Sequence, residues 1–123
     1  MKIEQSAPNE IQIDNHRIHF DQEIVRYIPV ADKVIVLLNP DDFAMGDPMV
    51  GRNIVAYDAD GNMVWRVEDH GVRVQSERKA PEAFFNIGLK DGKILQAVSL
   101  SYIFKLDPET GALSDPRYRY PGM

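Results

Sequence analysis

The sequence writes one pattern of strands and turns twice. The first instance runs through residues 24–38 and 53–65, and the second through residues 84–98 and 102–113. Residues 24–30 align with 84–90, and 33–38 with 93–98, without a gap between the segments. Residues 53–58 then align with 102–107 once eleven extra residues are allowed in the first copy between Leu38 and Asn53. A small antiparallel sheet hides its apolar face only against a neighbour. The duplication therefore predicts two such sheets packed on each other, with one long insertion that the repeat does not need.

Periodicity places the strands. Residues 33–38 are apolar throughout after Lys33, the signature of a strand covered on both faces and so the expected central strand. Ile11, Ile13, Ile18 and Phe20 alternate around an Asp14-Asn15-His16 turn, which predicts an N-terminal hairpin. The turns Asp58-Ala59-Asp60-Gly61, Lys90-Asp91-Gly92 and Asp107-Pro108-Glu109-Thr110-Gly111 carry residues that tolerate positive φ. The stretch 72–83 is the one helix candidate, and Pro81 limits it to about two turns. Trp65, Phe84, Phe85 and Phe104 read as core aromatics.

The expected fold class is all-β: an antiparallel meander of two duplicated four-stranded, blade-like sheets, packed as a sandwich or as an open partial propeller, with an N-terminal hairpin closing one edge. A chain of 123 residues is one domain's worth. The organisation expected is a single domain over 1–123, with repeats at about 22–67 and 82–115, the insertion at 39–52 and a linker at 68–83. No apolar run approaches the length of a membrane span, and the N-terminus has no apolar signal core, so a cytoplasmic protein without membrane contact is expected. The absence of cysteine removes disulfide and thiolate chemistry together.

Residues 53–65 and 105–113, AYDADGNMVW and KLDPETGAL at their centres, resemble the blade repeat of pyrroloquinoline-quinone-type β-propellers, where a strand ending in Leu/Tyr-Asp leads through an x-x-G turn to a strand carrying Trp. The order of residues 53–65 also resembles small bacterial proteins of unassigned function, some of them similar to immunity proteins encoded beside toxins. The second copy departs from the blade pattern, with Leu113 and Ser114 where the Trp strand should continue. The resemblance implies blade-like sheets. It implies no quinone, because that cofactor sits at the axis of a closed ring, and no cofactor of any kind is expected here.

Charge is unevenly placed. Residues 1–60 hold five basic and eleven acidic side chains, and residues 61–123 hold nine basic and eight acidic, for a net charge of −5. An acidic half points away from nucleic acid and toward a basic protein partner. Catalytic signatures are missing. His16 and His19 lie at i and i+3 of an extended segment, which sends them to opposite faces, and with His70 they read as surface histidines, so no metal site is expected. The serines stand outside any nucleophile elbow, and the glycines make no phosphate cradle, so the chain reads as a non-enzyme.

The insertion combines Asp41, Asp42 and Asp47 with Phe43, Met45 and Met49. Charge and apolar side chains together on a long loop over a rigid scaffold form a recognition surface, with the acids steering a basic partner and the apolar groups anchoring it. The competing expectation is that Phe43 and Met49 turn inward and plug the sheet edge. The leading function is thus a small protein-binding module, of the immunity or inhibitor kind. The alternatives are a self-assembling β protein, for instance a homodimer joined through a sheet edge, and a small-ligand-binding protein or enzyme with a His/Asp site. The alternation Arg117-Tyr118-Arg119-Tyr120 is a further segment able to add a strand.

Overall fold

The computed structural model describes residues 1–73 and 81–119. They form eleven strands in three antiparallel sheets, together with two short 3-10 helices at Pro40–Asp42 and Pro48–Arg52. The first sheet is β1 (Ile3–Ala7), β2 (Glu10–Ile13) and β3 (His16–His19). The middle sheet is β4 (Ile24–Val30), β5 (Lys33–Leu38), β6 (Ile54–Asp58) and β7 (Met63–Arg66). The third is β8 (Phe84–Lys90), β9 (Ile94–Ser99), β10 (Tyr102–Leu106) and β11 (Leu113–Tyr118). Each sheet is a meander and none closes into a barrel. The all-β fold and its two four-stranded sheets are thus as the sequence predicts.

The N-terminal element is larger than a hairpin. Ile3–Ala7 adds a third strand to it, pairing Ile3 with Ile13 and Gln5 with Ile11. Only two of its five residues are apolar, too weak an alternation for the strand to stand out in the sequence. The result is three layers. Ile11, Ile13 and Phe20 of the first sheet region pack on Val34, Val36, Leu38 and Val55, one face of the middle sheet. The opposite face, with Ile35, Leu37, Ile54, Ala56 and Trp65, packs on Phe84, Ile87, Leu95, Ala97, Phe104 and Leu106 of the third. All six residues of β5 are buried, as a strand with no polar face requires.

The two four-stranded sheets match in detail. The β4–β5 and β8–β9 pairs each slip register at their outer end, at Ile24/Arg26 and Phe84/Asn86, and each hairpin turns through a residue with φ near 55°, Ala31 and Asp91. The turns differ by one residue. Val30 pairs with Lys33, but Lys90 pairs with Ile94, so Lys33–Leu38 corresponds to Ile94–Ser99 and the gapless alignment onto residues 93–98 is off by one. Gly92 and Lys93 share the longer turn, a difference invisible to apolar patterning because Ile94 and Leu95 are both apolar.

The Asp58–Gly61 and Asp107–Gly111 turns join the layers, the second longer by one residue. In both, the first aspartate's carboxylate accepts a backbone N–H two residues on, from Asp60 and from Glu109 at 3.0 and 2.8 Å. The glycine then takes a left-handed φ of 79° at Gly61 and 78° at Gly111. Gly61 lies against His16 of β3, and Gly111 against the ring of Trp65 on β7, whose indole N–H donates to the Pro108 carbonyl at 2.8 Å. Each turn therefore seats on the last strand of the preceding sheet.

One expectation about the core is corrected here. Phe85 is 44% exposed, outside the core, with the Arg119 guanidinium 4.7 Å above its ring. The register slip at Phe84/Asn86 turns it out while Phe84 points in. The helix candidate at 72–83 falls mostly outside the described residues, and at its borders Arg73 and Pro81 form an antiparallel bridge.

A methyl group at Gly111 would sit 2.6 Å from Trp65 Cε3, whereas one at Gly92, with φ of 70°, meets nothing within 4 Å. Gly92→Ala should therefore cost about 1 kcal/mol, the backbone term alone. Gly111→Ala should cost about 3 kcal/mol, because overlap with the ring adds to it. Urea unfolding of both variants reads the difference, and equal losses would contradict the docking of the turn on Trp65.

Candidate functional site

The insertion is built as a fastened loop. Asn39 caps the first 3-10 helix by accepting the Asp41 N–H at 3.0 Å, and Asp47 caps the second by accepting the Met49 N–H at 2.9 Å. Asp42 reaches back to β4's approach, its carboxylate accepting the Glu23 N–H at 2.8 Å. Arg66 on β7 holds the loop from beneath, with Nε donating to the Arg52 carbonyl at 2.7 Å and its guanidinium 5.9 Å from the Phe43 ring. Burial, followed by repulsion from Arg52, lowers the pKa of Arg66 below the usual guanidinium value. Arg52 Nε in turn donates to the Val67 carbonyl at 2.7 Å.

These contacts sort the predicted residues into two groups. Phe43 packs against the core shared by the first and middle sheets, Met49 is half-buried, and Asp42 and Asp47 spend their carboxylates on backbone N–H groups. Asp41 and Met45 face outward, Met45 at 80% exposure. Phe43 is the plug that the competing expectation described. What remains free on the loop is one carboxylate and one thioether held on a rigid support.

A second polar constellation was not anticipated. Glu82 is only 5% exposed and accepts the Ser101 N–H at 2.7 Å and the Ser101 hydroxyl at 2.9 Å. Burial raises its pKa, but hydrogen bonds from Ser99 and Ser101 outweigh that and hold the carboxyl below its ordinary value. The His70 ring stands between Phe84 and Phe104, with centroids 5.2 and 5.5 Å away. Val72 N–H donates to its Nδ1 at 3.0 Å, which leaves Nε2 as the donor to the Glu82 carbonyl at 2.6 Å. His70 is therefore part of the packing and not a free surface histidine. Next to it, Arg73 and the Gly71 N–H bind Asp69 and lower its carboxyl to about 2. The signal that was missed lies in residue spacing too long for any local motif: Glu82 and Ser101 are nineteen apart.

His16 and His19 lie on β3, both exposed, with His16 against Gly61 and His19 beside Asn9. Among the described residues no group of three or more metal-capable side chains comes together, and no helix is long and apolar enough to cross a membrane. Every buried side-chain nitrogen and oxygen among the described residues has a hydrogen-bond partner. The tail alternation is the end of the third sheet, with Arg117 and Tyr118 on β11 and Tyr102 packed edge-on against Tyr118, while Tyr120 lies outside the described residues.

The fold and these surfaces define a stack of open antiparallel sheets with a fastened loop on one side. The chain matches, over residues 1–118, the family described as Domain of unknown function (DUF7957), and it belongs to that family. No curated protein matches it.

The depressed carboxyl of Glu82 fixes the sign of a pH effect. Its contribution is complete above the carboxyl's unfolded value near 4.5 and is lost as pH falls through the lower folded value. Glu82→Gln should cost about 1–2 kcal/mol at pH 7 by removing charge-assisted hydrogen bonds. That difference should shrink toward pH 3, and thermal unfolding at the two pH values checks it; a constant difference would remove the charge from the account.

Proposed function

We propose that this chain is a non-catalytic protein-binding module, of the immunity or inhibitor kind, that uses the acidic face of residues 39–52 against a basic partner. The observation that carries the reading is the fastening of the loop. Two caps, the Asp42 bond to Glu23 and the Arg66 clamp hold Asp41 and Met45 outward on a support that has little entropy left to lose on binding. The spending of the buried polar groups on the fold's own hydrogen bonds accords with a scaffold. The matched register slips, the positive-φ hairpin residues and the turns that each run from an aspartate to a left-handed glycine support an origin by duplication of a propeller-like blade, from which an open stack was kept.

Removing all three aspartates would confuse recognition with stability, since Asp47→Ala alone should cost about 1 kcal/mol as a lost cap. Asp41→Lys with Met45→Asp touches only outward groups and should leave stability within about 0.5 kcal/mol. Affinity capture with the wild type and this variant, followed by titration of the purified partner, tests the reading. A basic protein bound at least about tenfold more tightly by the wild type is the expected result. A partner held equally by both would move recognition off the loop.

A further inference from the structure

Among the described residues, the outward face of the third sheet carries no further layer. Leu95, Ala97, Phe104 and Leu106 point to the middle sheet, so the residues that alternate with them, Ile94, Gln96, Ile103 and Lys105, point away from it. Lys90 stands opposite Ile94 and Arg117 opposite Ile103, which brings both cations to the same outward face. These six residues border a depression of about 80 Å³, with Ile94 and Ile103 as its apolar side and three cations around them. Asp115 is also at its rim, 3.5 Å from Arg117. A small-molecule site takes about 300 Å³ or more, so this depression has room for the end of one side chain.

The 39–52 loop presents the complement. Asp41 and Met45 face outward from it, Met45 at 80% exposure. Among the described residues no ion pair engages the Asp41 carboxylate or the Lys90 and Lys105 ammonium groups. The loop packs through Phe43 on the core between the first and middle sheets, whereas the depression lies on the far side of the third. A loop therefore meets this face only on another molecule.

We propose that the outward face of the third sheet binds the 39–52 loop of a second copy, with Met45 in the depression and Asp41 against Lys90 and Lys105. This rests on the reading of residues 39–52 as a recognition surface, and it names a second copy as a basic partner of that surface. An unbranched thioether fills an irregular hollow with little strain, and the cations around the hollow favour a loop that carries carboxylates. Loop and face are different patches, so the contact is heterologous. Each copy keeps a free loop at one end and a free face at the other, and association continues into short chains. A foreign basic protein and a second copy then compete for the same two side chains.

Sedimentation velocity of the full chain tests the contact. A patch this small should give a Kd of about 0.1–1 mM, weakened at least about tenfold between about 0.05 and 0.5 M salt. Lys90→Glu with Lys105→Glu, and separately Asp41→Lys with Met45→Asp, change exposed groups and should each yield a folded protein that associates at least about tenfold more weakly. An equimolar mixture of the two variants still holds one intact loop and one intact face, and should form dimers that grow no further. A wild type that stays monomeric at about 1 mM, a folded variant that associates as the wild type does, or a mixture that stays monomeric would each overturn the proposal. None of these results bears on affinity capture of a foreign basic protein, so the two readings fail separately. Self-association of a wild type that captures no such protein would strike the foreign partner and leave this contact standing.

Discussion

The structure depends on β5 having no polar face. Its six residues are all buried, and alternate side chains feed two separate cores, Val34, Val36 and Leu38 on one side and Ile35 and Leu37 on the other. A side chain of this kind gains about 1.5–3 kcal/mol by leaving water, so uncovering either face would remove a large part of a domain's usual margin. Covering both requires three layers. That requirement, more than any local propensity, explains why an N-terminal segment as weakly patterned as Ile3–Ala7 is drawn into a sheet.

Apolar burial brings the layers together without fixing how they are set against one another, and polar contacts supply that register. Asn53, fully buried at the foot of β6, donates to the Leu38 and Phe84 carbonyls at 2.8 and 2.7 Å and accepts the Phe84 N–H at 2.9 Å. One amide side chain thereby sews the middle sheet to the first residue of the third. An unpaired buried group costs about 1–3 kcal/mol, so a sliding displacement that broke these bonds would be penalised several times over. The Trp65 bond to Pro108 and the Lys33 pair with Glu109 act at the far end of the same interface.

Much of the fold was legible because its signals are short-range. The continuous apolar run of residues 34–38 named the central strand, and the turns that open on Asp58 and Asp107 and end on Gly61 and Gly111 marked both outer hairpins, with the glycines at positive φ. What stayed hidden was set by distance or by single residues. The one-residue difference between the β4–β5 and β8–β9 turns leaves an apolar pattern intact, and Phe85 shows its exposure only through a register slip. The loop's charge could be read from Asp41, Asp42 and Asp47, but which of them are free depends on backbone N–H groups that no pattern names. The cluster of His70, Glu82 and Ser101 is likewise assembled by packing.

The two ends of the stack are unlike, and the difference has a physical consequence. At the first sheet the outward row is Glu4, Gln12 and Arg17, an outer face suited to water. At the third sheet the outward positions that correspond to the middle sheet's buried Ile54 and Ala56 are Ile103 and Lys105, with Ile94 beside them at 38% exposure. Lysine stems shield apolar surface while keeping the ammonium solvated, so Lys105 makes this face tolerable in water without making it polar throughout. A bare continuation of the apolar pattern would have invited another sheet without selectivity. Cations set among partly covered apolar groups make this face locally positive, on a protein whose overall charge is itself negative.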